Sequence, residues 1–164
     1  MPQIFDNIDL KLLPALQQTI QVAFRADFCV GYFNLRGWNS ISTYVDNFLG
    51  NEGNNCRILV GMQRIPQDDL REAARQIRDN QVMDNQTALR LKKRLAEEFR
   101  TQLTIGIPTN EDEIALRKLA DQLRSGKVVV KLFLRSLHAK LYLLFRHDPI
   151  SKMVGYLGSS NLTL

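Results

Sequence analysis

Cysteine, histidine and aromatic residues are all scarce in this chain, and each shortage removes a class of protein. Two cysteines in 164 residues cannot build a disulfide scaffold. Neither Cys29 nor Cys56 lies in a CxxC pair or beside a histidine, so no zinc-site pattern exists and no metal is expected. Both sit next to apolar, strand-like runs and read as buried, reduced thiols. No stretch approaches the ~18 apolar residues that a membrane helix needs. Residues Met1–Leu10 lack the apolar core of a secretory signal. A cytoplasmic protein with no membrane partner and no cofactor is the expectation.

What is present suits one globular domain spanning residues 1–164: 45% of residues are hydrophobic and 24% charged. The net charge is +5, a mild pointer to a polyanionic partner. Its distribution is uneven. Residues 1–60 carry four Lys/Arg against five Asp/Glu, and residues 61–127 carry thirteen against eleven. Residues 128–164 carry five (Lys131, Arg135, Lys140, Arg146, Lys152) against Asp148 alone.

Patterning divides the chain into an α/β succession. Leu13, Leu16, Ile20 and Phe24 have helical spacing, with Pro14 in the opening turn. Phe28–Phe33 reads as a strand that Leu35–Trp38 breaks, and Ile41–Leu49 reads as a helix. Asn51–Asn55 is a loop by composition. Arg57–Met62 is continuously apolar, the signature of a strand covered on both faces. Helices are expected over Gln67–Asp79 and Thr87–Leu103. Asn110 with Glu113 forms a capping pattern ahead of Ile114–Leu123, which Gly126 ends. The basic run Lys92-Lys93-Arg94 reads as a solvated helix face paired with Glu97 and Glu98. Three strands close the chain: Val128–Leu134, Leu137–Phe145 and Met153–Leu157, the last two joined by a turn at His147–Ser151. The fold expected is a mixed β-sheet flanked by helices, with a C-terminal β-hairpin.

That hairpin carries the chemistry. His138 and Lys140 are two apart in a strand and so share a face, leaving Ala139, Leu141 and Leu143 to pack in a core. If Arg146 faces Lys152, paired residue numbers sum to about 298. The same register sets Lys140 opposite Gly158 and His138 opposite Ser160, with Ser159 and Asn161 alongside. A neutral imidazole is a nucleophile toward phosphorus. An ammonium, an amide and a hydroxyl hold non-bridging oxygens as charge develops, which is most of what phosphoryl transfer requires. Chance occurrence of HxK in this composition is about 0.1, and of GSxN about 0.03.

The pair HxK and GSxN resembles the signature of the phospholipase D superfamily, matched here by His138, Lys140, Gly158, Ser159 and Asn161. The resemblance implies a phospholipase D-like fold and a metal-independent phosphodiesterase. In it His138 forms a phosphohistidine, Lys140 and Asn161 hold phosphate oxygens, and Ser159 assists. It also implies an active site shared by two motifs. With one copy here, a homodimer is expected, His138 of the partner subunit serving as general acid. The family's acid five residues after the lysine is replaced by Phe145, and Asp148, in the turn, is not assigned that role. The basic charge and single motif favour nucleic acid, DNA before RNA, as substrate. The alternative is a catalytically silent DNA-binding or dimerisation module of a helicase or restriction-type protein. Because the chain stops directly after the motif, the sequence is expected to be the front piece of a longer protein, similar to the domain at the start of bacterial helicase-like proteins.

Overall fold

The computed structural model describes residues 3–5, 10–61, 71, 74–75, 84–104, 110–133, 137–138 and 140–158. Helix α1 covers Leu12–Gln21. Leu16 and Ile20, one turn apart, are buried. Pro14 sits in the first turn, where its missing N–H has no helical acceptor to lose. Phe24 does not continue this face, because the chain reverses at Val22, whose N–H bonds to Thr19 O at 3.3 Å. From there the burial period becomes two. Ala26, Phe28 and Val30 alternate inward along β1, Ala23–Val30. This strand begins five residues before the apolar run suggested, since Arg25 and Asp27 occupy its outward positions.

Leu35–Trp38 starts a helix rather than merely breaking a strand. The Asn34 side chain accepts a hydrogen bond from the Gly37 N–H at 2.8 Å and caps α2, Leu35–Val45. Strand β2 spans Cys56–Gly61. Helix α3 spans Asn85–Leu103, capped by Asp84, which accepts from the amides of Gln86 and Thr87. Helix α4 spans Asn110–Arg124. Asn110 is its first helical residue rather than its cap, and Glu111, Asp112 and Glu113 place their charges at the positive end of the dipole. Gly126, at φ +74°, ends it as expected. The helix anticipated over Gln67–Asp79 lies outside the described residues, apart from Arg71, Ala74 and Arg75, which are helical.

Strands β3 (Val128–Phe133), β4 (Lys140–Arg146) and β5 (Met153–Leu157) complete a mixed five-stranded sheet of order β3-β2-β1-β4-β5. The first three strands run parallel, β4 is antiparallel to β1, and β5 is antiparallel to β4. Helices α1, α2 and α4 pack on one face, where Ala26, Phe28, Val30, Ile58, Val60, Tyr142 and Leu144 are buried. On the other face Cys29 and Leu59 are half-buried and Arg57 is exposed. The described residues therefore cover this face only in part, not fully as the apolar β2 sequence suggested. Cys56 is buried and its thiol is pushed up by that burial; Cys29, half-buried, is raised for the same reason. No helix among the described residues is long and apolar enough to cross a membrane.

The helical layer is locked by one polar chain. The Trp38 indole N–H donates to Gln122 Oε1 at 3.0 Å, and the Gln122 amide donates to Ser42 O at 2.8 Å and to Asp46 Oδ1 at 2.6 Å. Replacing Trp38 by Phe strands the buried Gln122 oxygen and leaves a void. The expected cost is about 2–4 kcal/mol, read as a lower urea midpoint with unchanged m.

Candidate active site

The pairing of β4 with its two neighbours decides which residues meet. On one side Lys140 faces Val30, the last residue of β1. On the other, Leu141 faces Leu157 and Phe145 faces Met153, so paired numbers sum to 298, as the turn predicted. The register holds at both ends. The Arg146 N–H donates to Lys152 O at 2.8 Å, and the Gly158 N–H donates to Lys140 O at 3.1 Å. Lys140 and Gly158 therefore stand together beside the carboxyl ends of the parallel strands, the end at which open α/β sheets bind ligands.

His138 lies two residues before β4 and is exposed. Its carbonyl accepts a hydrogen bond from the Lys140 ammonium at 3.2 Å. The expected strand thus starts at Lys140 and not at Leu137. The facing is also reversed: Tyr142 and Leu144, of the same parity as Lys140, are the buried residues, while Leu141 and Leu143 are half-buried. The reason is the helical layer on that side. Lys140 is the strand's first residue and sits half-buried at the rim of the layer. Ala139, Ser159, Ser160 and Asn161 lie outside the described residues, so the described site consists of His138, Lys140 and Gly158.

Two glycines have different duties here. At Gly61 a Cβ would meet Leu137 Cβ at 2.9 Å and Gly31 O at 3.0 Å. The bare backbone therefore lets the Leu137–His138 segment cross the ends of β1 and β2. At Gly158 a Cβ would meet none of the described residues within 4 Å.

Phe145 sits about 17 Å along the strand from Lys140 at ~3.3 Å per residue, and on the opposite face. The Arg25 guanidinium, its register partner, lies 4.4 Å above the ring. Arg25 also pairs with Asp27 at 2.5 Å, and Arg57 grips the same carboxylate through two 2.6 Å hydrogen bonds. Burial acts to raise the Asp27 pKa, but the hydrogen bonds from Arg57 and Arg25 and their charges outweigh it and hold the carboxyl below its ordinary value. This triad escaped the sequence reading. Its signal was the charge pair at i, i+2 inside an apolar run, with Arg57 one strand away.

Asp148 belongs to the turn. Amides of Ser151 and Ile150 donate to its carboxylate and hold its pKa down. His147 stacks on Phe24, ring centroids 4.3 Å apart. Neither residue approaches Lys140. At the amino ends of the strands a shallow hollow of ≈ 470 Å³ is lined by Asp46, Lys118, Asp121, Gln122, Ser125 and Lys127, but both lysines are turned onto Asp46. Among the described residues no group of three His, Cys, Asp or Glu side chains could hold a metal. No protein-family model matches the chain, and no curated protein is significantly similar to it.

Gly61→Ala should displace the Leu137–His138 segment and cost about 1–3 kcal/mol by overpacking. Shifted His138 imidazole NMR signals in a folded variant would register the displacement. The Asp27 triad predicts an acid effect. Because the folded-state pKa is depressed, its stabilisation is present above the ordinary value of 3.8 and is lost as pH falls through the folded value. Urea midpoints of wild type and Asp27→Asn should converge below about pH 4.

Proposed function

We propose that this chain is a single-motif, phospholipase D-like phosphodiesterase of nuclease type, acting on DNA without a metal and working as a homodimer. The observation that carries the reading is the hairpin register, which gives Lys140 and Gly158 a common position beside His138 at the carboxyl ends of the parallel strands. The clearance outside Gly158 among the described residues supports it, since a phosphate must approach that backbone closely. The amino end of α2 lies at the same end of the sheet and favours an anion there.

In this reading the His138 imidazole attacks phosphorus and the P–O bond to the leaving nucleoside breaks. His138 of the partner subunit protonates the departing oxygen. Water then attacks the phosphohistidine, giving its proton to that same imidazole, and releases the phosphate monoester and free His138. Lys140 and Asn161 hold the non-bridging oxygens as the charge shifts, with Ser159 as a further donor. A cytoplasmic location goes with such a substrate.

A second reading, a silent DNA-binding or dimerisation module of a helicase or restriction-type protein, is favoured by one feature. Phe145, packed beneath Arg25, stands where the resembled family keeps an acid.

Incubation with single- and double-stranded DNA in EDTA tests both readings. Cleavage should survive the chelator and fall at least about 10³-fold in His138→Ala. Bound but uncut DNA identifies the silent module. Sedimentation at tens of micromolar should give a dimer, and a strict monomer removes the mechanism.

A further inference from the structure

We propose that the outward side of α3 is a track for the phosphate backbone of duplex DNA, leading away from the candidate site. The inference takes the position of the scissile phosphate from the phosphodiesterase reading, but the binding itself does not depend on it.

Helix α3 carries Arg90, Lys92, Lys93, Arg94 and Arg100 against Glu97 and Glu98, a net +3 out of the +5 of the whole chain. All five cationic residues are exposed. At 3.6 residues per turn, Leu91, Leu95, Phe99 and Gln102 form one side, where they are half-buried or buried. Arg90, Lys93 and Arg100 lie on the other side, with Glu97 among them, while Lys92 and Arg94 flank the apolar side. The sequence suggested that this face is neutralised internally. For Lys92 and Lys93 it is not: no ion pair among the described residues joins either to Glu97 or Glu98. Glu97 follows Lys93 by four residues, the weaker of the two orders for a helical pair. Helix α4 provides the contrast. Its exposed Arg117 and Arg124 are satisfied by Glu113 at 2.6 Å and Asp121 at 2.7 Å.

The helix is also anchored where a substrate would need it. Phe99 stacks on Phe33 with centroids 6.1 Å apart, and the Gln102 amide donates to Gly61 O at 3.4 Å. Gly61 is the residue over which Leu137 crosses on its way to His138. The carboxyl-terminal turn of α3 therefore abuts the candidate site, and the helix runs outward from it. From Gln102 back to Arg90 is about 18 Å at 1.5 Å per residue, which matches about five base pairs at 3.4 Å each. A row of three exposed cations of that length, set against Glu97 alone, fits a regularly spaced polyanion. Among the described residues of α3 only Leu89 exposes a large apolar side chain, too little to enter a lipid interior.

The test measures duplex binding by fluorescence anisotropy across a potassium chloride series, for wild type and for Arg90→Gln/Lys93→Gln/Arg100→Gln. Arg117→Gln/Arg124→Gln is the control. Loss of three phosphate contacts should lower the slope of log K against log salt by about 2.7 and weaken binding about 10–100-fold at 0.1 M salt. The control should leave both unchanged. Hydrolysis of bis(p-nitrophenyl) phosphate, too small to reach α3, should be equal in wild type and the triple variant and absent in His138→Ala. An unchanged slope in the triple variant, a wild type that binds no duplex, or an equal loss in the control overturns the proposal. A reduced slope with no hydrolysis of the small diester by any protein upholds the track and removes the phosphodiesterase reading instead.

Discussion

The antiparallel pairing of β4 with β1 is the constraint on which the rest of the structure depends. Strand β1 is central, with its inward residues Ala26, Phe28 and Val30 at 0%, 2% and 0% exposure. Parallel β2 and β3 extend the sheet on one side, and their carboxyl ends finish level with Val30. Because β4 enters in the opposite direction, its first residue, Lys140, arrives at that same end. The returning β5 then brings its last residue there too. A parallel β4 would have sent Lys140 to the far side of the domain, among the turns near Asn55 and Lys127.

How much of this was legible in the sequence differs from element to element. The register of the hairpin from Arg146–Lys152 to Lys140–Gly158 was readable, because the turn at His147–Ser151 and one assumed pair set the pairs between. The face was not. Alternation says that His138 and Lys140 share a side, but nothing in Leu137–Phe145 says which side the helices cover. Tyr142 and Leu144 pack there, and a tyrosine in that place is no less polar in appearance than its neighbours. The start of β1 was hidden for a related reason. Arg25 and Asp27 look like loop residues until Arg57, thirty positions later, supplies the second guanidinium. Likewise LRGW reads as a break unless Asn34 is recognised as a cap.

The two faces of the sheet divide the work. The helical side is closed by packing and by the polar chain from Trp38 to Asp46, which fixes α2 against α4. The other side is tied by charge: the Asp27 carboxylate joins β1 to β2 through Arg57, and Arg25 reaches over the Phe145 ring of β4. Arg25 finds its counter-charge on its own strand, in Asp27. The electrostatic need of that arginine is met without any acid on β4.

The turn that closes the hairpin is rigidly built. Asp148 receives two amides, and the Arg146 guanidinium donates to Ser151 O at 2.9 and 3.1 Å. It works as a ruler. The residue that ends up beside Lys140 is decided by the number of residues between Arg146 and Lys152, at the opposite end of the sheet. One residue inserted there would carry Gly158 past its partner and turn every β5 side chain to the other face. Tyr156, now hydrogen-bonded to Thr19 and Ala15 on α1, would leave its helix. The length of a loop remote from the candidate site is thus as much part of its geometry as the side chains within it.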